Sequence, residues 1–152
     1  MKRITPFLWF DNQAEEAMNF YVSVFGNSKI LTVNRAGGRV MSVTFELDGQ
    51  QFMALNAGPQ FRFSEAVSFY VHSESQAEVD EYWDKLSAGG EAGRCGWLKD
   101  KFGLSWKIVP SELPRLLNDP DPAKAQAVVD AMMKMSKIVI ADLERAHDKQ
   151  SG

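Results

Sequence analysis

Gln-Ala-Glu occurs twice in the chain, at residues 13–15 and 76–78, each time just after a residue suited to capping a helix. Asn12 precedes the first copy and Ser75 the second, and each cap is followed three residues later by Glu, the sequence form of a capping box. Apolar residues then recur at helical spacing: Ala14, Ala17, Met18, Tyr21, Val22 and Phe25 in one copy, Val79, Tyr82, Trp83 and Leu86 in the other. Gly26-Asn27 and Gly89-Gly90 stop the two helices. A strand precedes each, over Ile4 to Phe10 and Ala66 to His72, with Pro6 tolerated near a strand start or sheet edge. A supersecondary unit used twice restricts the fold to paired modules, because one such unit cannot bury its apolar face alone.

Strands follow each helix. Lys29 to Asn34 is the first, and Ala36-Gly-Gly-Arg39 turns into Val40 to Leu47, where Val43, Phe45 and Leu47 alternate with Ser42, Thr44 and Glu46. Asp48-Gly49 is a two-residue hairpin signal, and Gln51 to Asn56 returns. The second copy has less room. It holds Arg94–Leu98 and Leu104–Val109, with a third strand reduced to about Glu91–Ala92. Between the two longer strands, Asp100 and Gly103 supply turn chemistry. Leu104, Trp106 and Ile108 alternate with Ser105 and Lys107, so one face is apolar and the other carries a hydroxyl and an ammonium.

Beyond Pro110 the pattern turns helical. Ser111 begins a short helix through Leu117, and Asp121-Pro122 is a cap followed by Pro at the first helical position. Ala125, Val128, Met132 and Met135 form one apolar face, and an amphipathic segment follows Ile138 to Ile140 as far as about His147. The expected fold is α+β, one domain of two βαβββ modules, about 1–58 and 64–110, with a helical tail at 111–148. So apolar a tail docks on the domain or on a partner subunit.

Composition narrows the function classes. A formal charge of −3 over 152 residues leaves no basic footprint for nucleic acid. No apolar run approaches the roughly 20 residues of a membrane span, and no signal peptide is evident, so a cytoplasmic location is expected. A lone Cys95 rules out an internal disulfide and suits a reducing compartment. Two histidines and one cysteine are too few for a zinc site of soft ligands, and no cofactor is implied.

Several stretches carry a family resemblance: Glu15-Glu-Ala-Met-Asn-Phe-Tyr21 with Phe25-Gly26, Cys95-Gly-Trp-Leu-Lys-Asp-Lys-Phe-Gly-Leu-Ser-Trp106, and Ile108-Val-Pro110. Asp119-Pro-Asp-Pro-Ala-Lys-Ala-Gln126, Ala131-Met-Met-Lys-Met135 and Lys137-Ile138 extend it. The chain resembles the PhnB-like family, labelled 3-demethylubiquinone-9 3-methyltransferase-like, within the vicinal oxygen chelate superfamily of glyoxalases, bleomycin-resistance proteins and dioxygenases. The resemblance implies a homodimer and a cavity enclosed by curved sheets. It also implies four positions where relatives hold His, Gln or Glu on a divalent metal, which map here to Pro6, Ala54, Ser68 and Lys107. Pro and Ala carry no ligating group, Ser is a poor ligand and a protonated Lys repels a cation, so a metal-dependent reading is disfavoured. The methyltransferase label lacks support from any Gly-rich turn of the nucleoside-binding kind, since Gly37-Gly38 and Gly89-Gly90 serve as turn and helix stop.

If Ser68 faces the cavity, alternation puts Tyr70 and His72 beside it, with Val67, Phe69 and Val71 packed under the helices. Ser68, Tyr70, His72, Lys107, Ser105, Thr44 and Asn56 would then suit a small polar or anionic ligand. Lys107, His72 and Tyr70 are the candidates for proton transfer in a rival enzymatic reading, a methyltransferase or a metal-independent isomerase or lyase. A third class is a dimeric assembly module with a vestigial cavity. The alternatives for single residues are structural: His72 solvated at a strand end, Lys107 paired with Glu46, and Cys95 buried as a small hydrophobe rather than acting as a nucleophile. Trp9, Trp83, Trp97 and Trp106 read as core, with one of them available as an aromatic wall, and Met132, Met133 and Met135 as helix core or a dimer contact.

Overall fold

The computed structural model describes residues 3–149, and the chain divides after Phe63 into two units. The first contains β1 (Phe7–Phe10), α1 (Ala14–Val24), β2 (Lys29–Ala36), β3 (Arg39–Leu47) and β4 (Gln50–Asn56). Its sheet runs β1-β4-β3-β2, with β1 parallel to β4 and the other pairs antiparallel. Asp48 and Gly49 take φ of 50° and 79°, the left-handed pair that a tight hairpin demands. Asn27 takes φ of 52° just past α1, as its place after the helix stop predicts. The buried stripe Ala14, Ala17, Met18, Tyr21 and Val24 lies on the sheet, with the Tyr21 ring 6.4 Å from that of Phe45.

One expectation fails here. Asn12 does not cap α1; the cap position is Gln13, and no side chain of that segment closes it. The Ala14 N–H instead donates to Asn56 Oδ1 at 2.9 Å, while Asn56 Nδ2 donates to the Val40 carbonyl at 3.1 Å. An orphan helix N–H donates to any well-placed oxygen, and the end of β4 supplies one from 42 residues away.

The second unit repeats the topology with β5 (Phe69–Ser73), α2 (Gln76–Ser87), β6 (Glu91–Ala92), β7 (Trp97–Lys99) and β8 (Ser105–Pro110). Its sheet runs β5-β8-β7-β6, again with the outer pair β5 and β8 parallel. The Ser75 hydroxyl accepts from the Glu78 N–H at 3.2 Å, so this capping residue acts as expected, and Glu78 reaches back to the Glu74 N–H. The two-residue β6 matches the trimmed third strand.

Two boundaries differ. The strand expected from Arg94 begins only at Trp97, because Cys95 and Gly96 take φ of 57° and 88°. Their N–H groups donate to the carbonyls of Met135 and Ser136 at 2.9 and 2.8 Å, outside the sheet. The strand expected from Ala66 begins at Phe69, since Ser64 ties the Ala66 and Val67 N–H groups into a turn. Val67 is consequently exposed rather than packed under a helix.

After β8 come α3 (Glu112–Leu117), α4 (Pro122–Met133) and α5 (Ile140–Asp148). They dock within the second unit around Val109, Leu113, Leu116, Val128, Ile138 and Leu143, with Met132 and Met135 packed against this cluster and Met133 exposed. Gln76 fixes the approach: its Nε2 donates to the Ile138 carbonyl and its Oε1 accepts from the Ile140 N–H at 2.7 Å. Lys137 pairs with Asp80 at 2.9 Å, and the Ser136 hydroxyl donates to the Gly93 carbonyl at 2.6 Å. Among the described residues no helix is long and apolar enough to cross a membrane.

Candidate functional site

Strand β8 lies between β5 and β7, and its register sets the site. Lys107 has Tyr70 on one side and Trp97 on the other, Ser105 has Lys99, and Val109 has His72. Alternation sends Tyr70, His72, Ser105, Lys107, Trp97 and Lys99 to one face. Trp106, Ile108 and Leu98 go to the other, beneath the buried Val79, Trp83 and Leu86 of α2. The expected separation of apolar and polar faces is therefore present in β8.

The β7–β8 turn holds this register. Asp100 Oδ1 accepts from the N–H groups of Phe102 and Leu104 at 2.9 and 3.0 Å, and Oδ2 accepts from Trp106 Nε1 at 2.9 Å. Gly103, at φ 88°, closes the loop with its N–H on the Asp100 carbonyl. A buried carboxylate thus fastens the turn to the first apolar residue of β8.

Lys107 is half-buried, and no ion pair ties its ammonium among the described residues. Nζ lies 3.8 Å from the centroid of the Trp97 ring, close range for a cation on an aromatic face. Burial pushes its pKa below the ordinary lysine value, partly offset by the nearby Cys95 thiol group. Glu46, the alternative partner, pairs with Lys29 at 3.8 Å. Tyr70 is 47% exposed, and burial of the rest of its ring pushes the phenol up, so it stays protonated at neutral pH. The rings of Tyr70 and His72 are 4.7 Å apart.

Trp97, 41% exposed, is the tryptophan that fronts solvent, while Trp83 and Trp106 are core. Its Nε1 donates to Ser68 Oγ at 3.1 Å. Beside it opens a cavity of about 500 Å³ lined by Glu65, Glu91, Arg94, Trp97, Lys99 and Ser105. Lys99 is ion-paired with Glu65. Ser105 is only 2% exposed, and its hydroxyl has no hydrogen-bond partner among the described residues. Cys95 is buried, with its Sγ 3.8 Å from Met133 Sδ, as the hydrophobe reading has it.

The structure thus brings together Ser68, Tyr70, His72, Ser105 and Lys107. Thr44 and Asn56 belong to the first unit, where the Asn56 amide is engaged as the α1 cap. The metal positions do not fit a metal. The Ser68 hydroxyl serves the Trp97 indole, Lys107 is a cation, and the Pro6 carbonyl accepts from the Met53 N–H. Ala54, the remaining position, lies between Leu8 and Val43 on the core side of the first sheet, with Met53 and Leu55 on the other side. Among the described residues, no three His, Cys, Asp or Glu side chains group where they could hold a metal. The cavity around Lys99 and Glu65 was missed. Pairing Lys99 with Ser105 by counting outward from the Asp100–Gly103 turn would have found its floor.

Comparison with known proteins agrees with this architecture. Residues 2–109 match the family model described as 3-demethylubiquinone-9 3-methyltransferase. The PhnB protein of Bacillus cereus is 36% identical, over 72% of this chain and 100% of that one, with a TM-score of 0.69. Protein PA1353 of Pseudomonas aeruginosa shares the fold at 19% identity and TM-score 0.63, over 72% of this chain and 98% of its own. The fosfomycin resistance protein FosX of Listeria monocytogenes does so at 18% and 0.58, over 78% and 98%. No curated protein matches the chain. With the family model spanning the two repeated units and a solved relative 36% identical, this chain belongs to the 3-demethylubiquinone-9 3-methyltransferase-like (PhnB) family.

Proposed function

We propose that the open face of β5, β8 and β7 binds a small anionic molecule, with Lys107 as its counter-charge. The observation that carries this reading is a half-buried ammonium resting on an indole with no ion-paired carboxylate among the described residues. Burial without a paired anion disfavours the charged form, and an incoming anion reverses that penalty. Tyr70, in register beside Lys107 and protonated, adds a donor. A homodimer belongs to the same reading on the strength of the family resemblance, and a reducing compartment on the strength of the lone Cys95.

Thermal shift against a panel of small carboxylates and phosphates tests the proposal. At least one anion raises the melting temperature of the full chain, and Lys107→Met abolishes that rise. Because burial holds the Lys107 pKa below its ordinary value, the anion-induced shift shrinks as pH climbs toward that value. Identical shifts in the wild type and in Lys107→Met refute the proposal. A second reading, metal-independent acid–base catalysis, draws on the same lowered lysine beside a neutral phenol. The family name speaks of methyl transfer, but Gly37 and Gly38 sit in the β2–β3 turn and Gly89 and Gly90 follow α2, so neither forms a nucleoside-binding loop.

A further inference from the structure

We propose that Lys107 condenses with the carbonyl group of a 2-oxo carboxylate to form a covalent imine. This inference rests on the anion-binding reading, whose ligand class it names and to which it adds a bond.

An amine is a nucleophile only in its neutral form, and a lysine held in an ion pair stays protonated. Lys29, Lys85, Lys99 and Lys137 are held in that way, by Glu46, Glu81, Glu65 and Asp80. Lys107 is half-buried, and no carboxylate pairs with it among the described residues. Burial lowers its pKa, so more of it is neutral near pH 7 than of an ordinary surface lysine. The Trp97 indole, 3.8 Å from Nζ, favours a cation, and a protonated imine is still a cation. The product therefore keeps the contact that seats the side chain.

A proton donor stands beside the amine. Tyr70 is the β5 partner of Lys107, on the same face and about 4.8 Å across the sheet, and its phenol is protonated at neutral pH. The Nζ lone pair attacks the carbonyl carbon, the C–O π bond opens, and the oxygen takes the Tyr70 proton. The nitrogen then returns a proton to the phenolate. In the second half Tyr70 protonates the departing hydroxyl, the C–O bond breaks, and the nitrogen lone pair closes the C=N bond. Solvent restores the phenol. Ammonium and carbonyl thus give iminium and one water, with no oxidant or reductant.

Charge places the carboxylate. Lys99, the other ammonium on this face, is already paired with Glu65. Lys107 is therefore the unpaired ammonium of the face among the described residues, and its nitrogen stays cationic as the iminium. One nitrogen serves both as nucleophile and as counter-charge only when carbonyl and carboxylate sit on adjacent carbons.

Cyanoborohydride trapping of the full chain with pyruvate at neutral pH, read by peptide mass spectrometry, tests this. Lys107 carries the reduced adduct, while the exposed Lys101 and Lys134 stay unlabelled. Acetone and 4-oxopentanoate, each scaled to its rate with a free alkyl amine, label Lys107 about tenfold less, the worth of one charge-assisted contact. Lys107→Arg keeps the charge and loses the adduct. Tyr70→Phe keeps the ring and slows trapping about a hundredfold, and an unchanged rate removes Tyr70 from the step. Label spread evenly over the lysines, or none on Lys107, overturns the imine. Acetone labelling as readily as pyruvate overturns the 2-oxo assignment. Lactate has the carboxylate without the ketone and separates the two readings. If lactate gives a thermal shift that Lys107→Met abolishes while pyruvate leaves no adduct, anion binding stands and the imine falls. If no anion gives a Lys107-dependent shift and no adduct forms, both fail together.

Discussion

Replacing Asp100 by Ala removes the acceptor for two backbone N–H groups and one indole. Leu104 N–H and Trp106 Nε1 are buried, and each is left without this partner at a cost of about 1–3 kcal/mol. The Phe102 N–H is less buried and recovers part of its loss from water. The turn keeps its backbone bonds, Asp100 N–H to the Leu104 carbonyl and Gly103 N–H to the Asp100 carbonyl, both 2.9 Å. The net loss is therefore about 3–4 kcal/mol, a large share of the roughly 5–15 kcal/mol that typically holds a domain together. For a chain of this size that lowers the melting temperature by about 8–14 °C. Urea unfolding followed by tryptophan emission measures it. Asp100→Asn supplies the internal control: its oxygen can still serve the turn, but its amide then points donors at the indole N–H, so only about 1–2 kcal/mol is lost. A loss below 1 kcal/mol for Asp100→Ala, or a wild-type curve for Asp100→Asn, refutes the view that this carboxylate fastens β8.

Gly96→Ala is expected to cost about 2–4 kcal/mol. Its φ is 88°, and the added Cβ would stand 2.8 Å from Ile138 Cδ1 and 2.9 Å from the Ile108 carbonyl. Adding Ile138→Val removes the first clash and recovers part of the loss in thermal melts; no recovery would mean that backbone strain alone is responsible. The tail should loosen with rising pH. His147 Nε2 lies 2.8 Å from Asp119 Oδ2, and its bonds to Asp119 and Asp148 raise its pKa. Stability from a raised histidine is fully present below its unfolded value of about 6.5 and is lost as pH rises through the folded value. Hydrogen exchange in α5, corrected for intrinsic rates, should therefore speed up across that window, and Asp119→Asn should flatten the dependence.

How much of this was legible in the sequence depended on range. The alternation of β8, the Asp48-Gly49 hairpin, the Asp100–Gly103 turn and the Ser75 cap are local chemistry, and the chain carries each in adjacent residues. The cap of α1 was not legible, because Asn56 reaches it through the folding of a whole sheet. Nor was the break before Trp97: Cys95 is not a residue that advertises a left-handed backbone, and its N–H finds its acceptor in Met135, forty residues on. Ala54 shows how much a face depends on register: it stands on the core side of its sheet, while Met53 and Leu55 take the other. Of the candidate site, the residue types and the face of Lys107 followed from period two. The exposure of Trp97 and the isolation of the Ser105 hydroxyl are packing outcomes.

The match to the family ends at residue 109, within β8. Val109 is also where the apolar cluster of α3, α4 and α5 begins, and it stands on the face that carries Lys107, two residues further along the strand. A chain trimmed to the matched segment would strip Leu113, Leu116, Val128, Ile138 and Leu143 from that cluster and free the Gln76 amide from Ile138 and Ile140. The segment that the family model matches and the cooperative segment are thus of different lengths. An expression boundary drawn from relatives would cut through the second unit's own interior.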